Sequence, residues 1–205
     1  MQMEAEVLTF TPMRTGAKKR YTYEDLRDIP DGTRAEILGG ELIVSPHPTG
    51  AHNWASYRLS VGLDPFVGPP AGASRPGGWW VMVEPELHLG DDVLIPDLAA
   101  WRYGRVPGPY DGAFTTVAPD WVCEVLSPST SRVDRERKLP IFAREGVQHA
   151  WLIDPRRRTI DVHRLVRGTL MRVHTYREEP PPARIEPFEA VGLALGNLWI
   201  PSFSH

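Results

Sequence analysis

Two carboxylates interrupt stretches of this chain that otherwise read as buried strand. In residues 93–101, VLIPDLAAW, Asp97 follows Pro96 in the middle of an apolar run; in residues 121–126, WVCEVL, the one charge is Glu124. An ionised carboxylate left unpaired in a strand core costs several kcal/mol or takes up a proton. Two such insertions therefore restrict the fold to one in which neighbouring strands deliver both acids to a partner that wants negative oxygen. A hard divalent cation is such a partner. Magnesium takes oxygen ligands, keeps several waters and uses one or two carboxylates together with substrate phosphates. After Glu124, SPSTS leads into VDRERK, which returns Lys138 toward the end of the second strand if the chain turns back along a helix.

A chain of 205 residues is expected to form one domain and to bury roughly 70% of the surface of its unfolded form. We read residues 1–20 as a flexible tail and 21–205 as the domain. Its 41% hydrophobic and 24% charged residues fit an ordinary globular protein. The lone Cys123 excludes a disulfide framework and a cysteine zinc site, and reads as a small core residue. The first residues, MQMEAEVLTFTPMRTGAKKR, put acids before bases and lack an apolar core, so they are no secretory signal. No run approaches the roughly 20 apolar residues of a membrane span, and the expected location is cytoplasmic.

Charge is unevenly spread. Net charge is −3, yet residues 132–172 hold 11 basic against 5 acidic groups. Arg132, Arg135 and Arg137, with Arg156, Arg157 and Arg158, supply most of this block. It reads either as a solvated charged face or as a nucleic-acid surface beside an acidic metal pocket.

Along the chain, TYEDLRDIP is expected to form a short helix capped by Thr22, and RAEIL, GG and ELIVS a strand, turn and strand. Glu36 shares a face with Arg34 by the period of two, the pattern of a solvent-facing residue. From Thr49 the spacing predicts a helix whose apolar face carries Trp54, Tyr57, Val61 and Leu63 or Phe66, with His52 in its first turn, ordinarily a surface or cap-adjacent place. GPPAGASRPGG reads as loop. WWVMVEPELHLGDDVLIPDLAAWR reads as a hairpin turning at GDD, broken or edge-placed at Pro85; Glu86 in it is either a third acid near the metal or a half-exposed strand residue. Pro140 is expected to start a helix, with Lys138 just before that start. HAWLID, TIDVHRLV and TLMRVHTY make three strands, and FEAVGLALGNLWI closes the core.

The ordered set AEILGGELIVSPHPTGAHN, LIPDLAAWR and PDWVCEVLSPSTSRVDRERKLPIFAREGVQHAWLIDP resembles the PD-(D/E)xK nuclease superfamily, and more closely its Uma-two branch of bacterial restriction-endonuclease-like proteins, over roughly residues 20–200. The resemblance implies an α/β fold with a central mixed β-sheet flanked by helices on both faces, and magnesium-dependent hydrolysis of DNA, with manganese as a substitute. It implies that Asp97, Glu124 and the Val125 carbonyl hold the metal, that Lys138 acts on the water, and that Glu36 and His52 border the site. Leu126 stands where the superfamily usually has its lysine; Lys138 is the residue that matches in this branch. Cutting both strands of DNA favours a homodimer, and no nucleotide cofactor or membrane is implied. Two other readings stay open: a DNA-binding or regulatory module that keeps the fold without cleaving, and a serine hydrolase using Ser127 or Ser129, which lacks the G-x-S-x-G elbow.

Overall fold

The computed structural model describes residues 19–30, 32–178 and 181–201. Apart from Lys19 and Arg20, the expected N-terminal tail lies outside them. The chain begins with helix α1 (Tyr23–Leu26), the hairpin β1 (Arg34–Leu38) and β2 (Glu41–Ser45), and helix α2 (Gly50–Leu63). Strands β3 (Trp79–Val83), β4 (Leu87–Leu89), β5 (Asp92–Leu94), β6 (Leu98–Arg102) and β7 (Trp121–Val125) follow. A helical run, α3 (Ser131–Val133), a π-helical turn (Asp134–Lys138) and α4 (Leu139–Arg144), leads to β8 (His149–Asp154), β9 (Thr159–Val166) and β10 (Thr169–Arg177). The fold is α/β, as expected, but the strands divide between two sheets: β10-β9-β8-β7-β6-β3, mixed because β7 and β8 run parallel, and an antiparallel β2-β1-β5-β4. Among the described residues no helix is long and apolar enough to cross a membrane.

The division of the sheets places Asp97. The run VLIPDLAAW, which reads as one strand, is β5 in the small sheet and β6 in the large one, with residues 95–97 as the crossing. Pro96 has no N–H for a ladder, and side chains of β1 take over there. Glu36 Oε1 accepts the Ile95 N–H at 2.7 Å, and Arg34 Nη2 donates to the Ile95 carbonyl. The same β1 face that alternation assigned to Arg34 and Glu36 therefore holds the crossing, and Glu36 is buried rather than facing solvent.

Alternation along β7 sends Trp121, Cys123 and Val125 to one face of the large sheet and Val122 to the other. The first face packs under Ala55, Leu59 and Leu63 of α2 and under Phe188, Leu195, Leu198 and Trp199. The second packs under Leu139, Ile141 and Phe142 and against Leu38, Leu87 and Leu94 of the small sheet. Glu124 falls by the same alternation on the side of the helix that carries Lys138. Two expectations need correction. Helix α2 buries His52, Ala55, Leu59 and Leu63, while Trp54, Tyr57 and Val61 are exposed, because small Ala55 lets the helix approach the sheet where the aromatic stripe would hold it off. Lys138 does precede α4, as its N-cap with Pro140 in the first turn, but the helix does not begin afresh there, because α3 and the π turn run into it without a break. The proline ring at position 140 would meet the carbonyl of Glu136 in a regular α-helix, and the wider π turn immediately ahead of it lets the chain pass.

Phe188 joins the C-terminal segment to the sheet by ring contacts of 4.9–5.6 Å with Trp79, Trp121 and Trp151. Phe188→Ala is expected to lower the unfolding free energy by about 3–5 kcal/mol, read as a reduced urea midpoint at unchanged slope. A loss under about 1 kcal/mol would mean that this segment is not part of the cooperative core.

Candidate active site

Asp97, at the crossing between the sheets, is 3% exposed and accepts hydrogen bonds from three other elements. The Val125 N–H donates to Oδ2 at 2.6 Å, His52 Nε2 lies 3.1 Å from the same oxygen, and Arg34 Nη1 donates to Oδ1 at 3.1 Å. Thr49 fixes the start of α2 by accepting the His52 N–H, which sets the imidazole over Asp97. Arg34 Nη1 also reaches Glu84 Oε1 at 3.0 Å.

Lys138 is 3% exposed and stands among three acids: Glu36 Oε1 at 2.9 Å, Glu124 Oε1 at 3.1 Å and Asp134 Oδ1 at 3.6 Å. Asp134 lies one turn earlier on the same helical run. Both clusters line one cavity of about 290 Å³, closed at one side by the turn from Ser127 to Thr130 and at another by residues 45–48.

Burial and charge divide the acids. Burial pushes Glu124 well above the usual carboxylate range, with Asp134, Asp97 and Glu36 adding to it and Lys138 opposing it. Asp134 is raised for the same first reason. Asp97 is lowered despite its burial, because His52, Arg34 and the Val125 N–H stabilise the anion. Burial works against the Lys138 ammonium, but Glu124, Glu36 and Asp134 outweigh it and hold the lysine protonated well above its ordinary range. Four carboxylates thus face two fixed cations, Arg34 and Lys138.

That deficit of positive charge suits a divalent ion. Among the described residues no three His, Cys, Asp or Glu side chains are arranged to hold a metal by themselves. Two carboxylates on neighbouring strands, one backbone carbonyl and water are the donor set magnesium takes. Val125 meets the third requirement. Its neighbour Leu126 donates its N–H to Ile153 of β8, so the Val125 N–H and C=O turn the other way, toward position 96, where proline has no N–H to give.

A family described as "Uma2: putative restriction endonuclease" matches residues 21–196. The chain belongs to the Uma2 family. A crystal structure described as a putative nuclease, from Anabaena variabilis, is similar to it at a TM-score of 0.67 with 24% identity, covering 87% of this chain and 97% of that one. That likeness shows the shared fold. No curated protein matches the chain.

In this Uma2 chain the structure gathers Asp97, Glu124, Val125, Lys138, Glu36 and His52 around one cavity. It does not gather the arginines. Arg137 turns away to Glu41 and the Leu38 carbonyl, and Arg135 pairs with Asp161. Arg158 pairs with Glu178, and Arg132 with Glu136 on its own helical run. Arg156 and Arg157 line a separate cleft with Ser127, Pro128 and Asp154, sharing the 127–128 turn with the acidic cavity. Glu86 bonds His88 at 2.7 Å and lies outside the cavity. Sequence reasoning did not single out Arg34 or Asp134. The available signals were their spacings, two residues before Glu36 and four before Lys138.

Lys138→Met leaves three buried acids without their cation and is expected to cost about 3–5 kcal/mol near neutral pH. The sign with pH follows from the raised carboxylates. An acid whose pKa is higher in the folded than in the unfolded chain binds protons preferentially when folded, so its contribution weakens as pH rises above the ordinary glutamate value. Without Lys138 to oppose them, these pKa values rise further, and the deficit of the variant should shrink from about pH 8 to about pH 5 in urea melts. A deficit that stays constant or grows on acidification contradicts this arrangement.

Proposed function

We propose that this protein is a divalent-cation-dependent endonuclease that hydrolyses DNA phosphodiester bonds. Membership in a family described as "putative restriction endonuclease" supports a nuclease in general. The observation that carries the finer reading is the buried cavity in which Asp97, at the crossing between the sheets, and Glu124, on β7, share with Lys138 a site holding more carboxylates than cations. Asp97, Glu124 and the Val125 carbonyl would hold magnesium, with manganese as substitute. When bound, that ion supplies Lewis-acid polarisation of a phosphoryl oxygen and lowers the pKa of water.

The side chains divide the remaining work. Lys138, kept protonated by its three acids, donates hydrogen bonds and offsets negative charge rather than removing a proton. Glu36 and Asp134 hold its ammonium in place. His52 fixes the orientation of the Asp97 carboxylate through Nε2, and its buried Nδ1 has no hydrogen-bond partner among the described residues. Arg156 and Arg157, beside the 127–128 turn, are placed to meet phosphates flanking the cavity. Cutting both strands of a duplex would call for a homodimer. A serine hydrolase is disfavoured because the Ser127 hydroxyl bonds those of Ser129 and Thr130, and His52 bonds Asp97 instead. A non-cleaving DNA-binding module is the second reading. It is favoured by Leu126 standing, buried, where a superfamily lysine would stand.

Wild-type protein is expected to nick supercoiled plasmid with magnesium or manganese and not in EDTA. Asp97→Asn and Glu124→Gln, which keep side-chain shape, should each slow nicking by about 10³-fold, the equivalent of about 4 kcal/mol of lost charge stabilisation. Lys138→Met should slow it roughly 10²–10³-fold while still showing a manganese-induced rise in melting temperature. DNA binding whose affinity falls with salt, without nicking at any metal concentration, would establish the module instead. Equal nicking by wild type and the carboxylate variants would defeat the enzyme reading.

A further inference from the structure

Of the two fixed cations lining the cavity, Arg34 has no part in the chemistry above. Its contacts are specific. Nη1 bridges Asp97 Oδ1 at 3.1 Å and Glu84 Oε1 at 3.0 Å, and Nη2 donates to the Ile95 carbonyl. The other Asp97 oxygen is already taken by Val125 and His52, so among the described residues Oδ1 is compensated by Arg34 alone.

The guanidinium is anchored independently of the Asp97 carboxylate. Glu84 has a φ of 46°, in the left-handed region that non-glycine residues seldom adopt, and its N–H donates to the Asp97 carbonyl at 3.0 Å. This backbone, held in an uncommon conformation of the kind that clusters at functional sites, presents the Glu84 carboxylate to Arg34. A guanidinium that released Oδ1 would keep one charged and one neutral acceptor, Glu84 and the Ile95 carbonyl. The other acid follows the same plan: if Lys138 released Glu124, it would keep Glu36 and Asp134.

We infer that Arg34 is an internal counter-cation of the site: its guanidinium occupies Asp97 Oδ1 until a divalent ion takes that oxygen, and then withdraws onto Glu84 and the Ile95 carbonyl. This rests on the divalent-cation reading of the cavity. Its physical basis is that a carboxylate 3% exposed must be neutralised in the metal-free protein as well as in the metal-bound one. Arg34 does the first, and by doing so competes with the second. A binder that must displace an internal competitor shows a weakened apparent affinity.

The test is Mn²⁺ affinity by titration calorimetry on the full chain, beside melting temperature in EDTA. Arg34→Met is expected to melt lower than wild type in EDTA and to bind Mn²⁺ about tenfold tighter or more. Arg34→Gln, which keeps hydrogen-bond donors but no charge, should shift both quantities in the same directions and serves if the methionine variant does not fold. Mn²⁺ affinity in these variants equal to or weaker than wild type overturns the role of Arg34 while leaving the metal site standing. No Mn²⁺ binding by wild type or variants overturns the metal reading and this inference together.

Discussion

The carboxylate of Asp97 is where the parts of this molecule meet. It accepts from β7 through the Val125 N–H, from α2 through His52 and from β1 through Arg34, at 2.6–3.1 Å. These bonds do what a ladder would do at an ordinary strand junction. At residues 95–97 the chain leaves one sheet for the other, and Pro96 cannot join either ladder. Side chains of Arg34, Glu36 and Asp97 satisfy the backbone there instead. The charge that positions the chain is therefore also the charge that the proposed cation would meet.

Such a junction is expensive unless every charge is matched, and the matching is incomplete by design of the residue types present. Lys138 serves Glu36, Glu124 and Asp134 at once. Burial raises the pKa of Glu124 and Asp134 in consequence, while Asp97, with a donor on each oxygen, stays anionic. If the proposed cation binds there, one acid ready to ligate and one that ligates on losing a proton would make binding release protons and strengthen with pH.

The acids were legible because a charge inside an apolar run has few innocent explanations, and Glu124 does lie mid-strand in β7. Lys138 was legible as a cation that a returning helix would bring back to β7, and the resemblance supplied its match to the superfamily lysine, since Leu126 holds the usual position. Arg34 and Asp134 were hidden by their surroundings. Each sits near polar neighbours in sequence, where a charge is unremarkable, and only the tertiary fold buries Asp134 and half-buries Arg34. The separation into two sheets was hidden because the crossing is made by side-chain bonds from β1, some 60 residues away in sequence. The buried face of α2 departs from its apolar stripe for a related reason: large apolar side chains need not be the buried ones, and here Trp54, Tyr57 and Val61 face outward while Ala55 faces the core. The basic block was a property of composition, and the fold spends Arg135 and Arg137 on partners of their own.

All of this depends on one claim, that a divalent ion binds between Asp97 and Glu124. Anomalous diffraction from crystals soaked in manganese addresses it without reference to activity. The account predicts a single strong peak in the cavity, about 2.1 Å from a carboxylate oxygen of each residue. No peak at saturating manganese, or a peak that touches neither carboxylate, would contradict it.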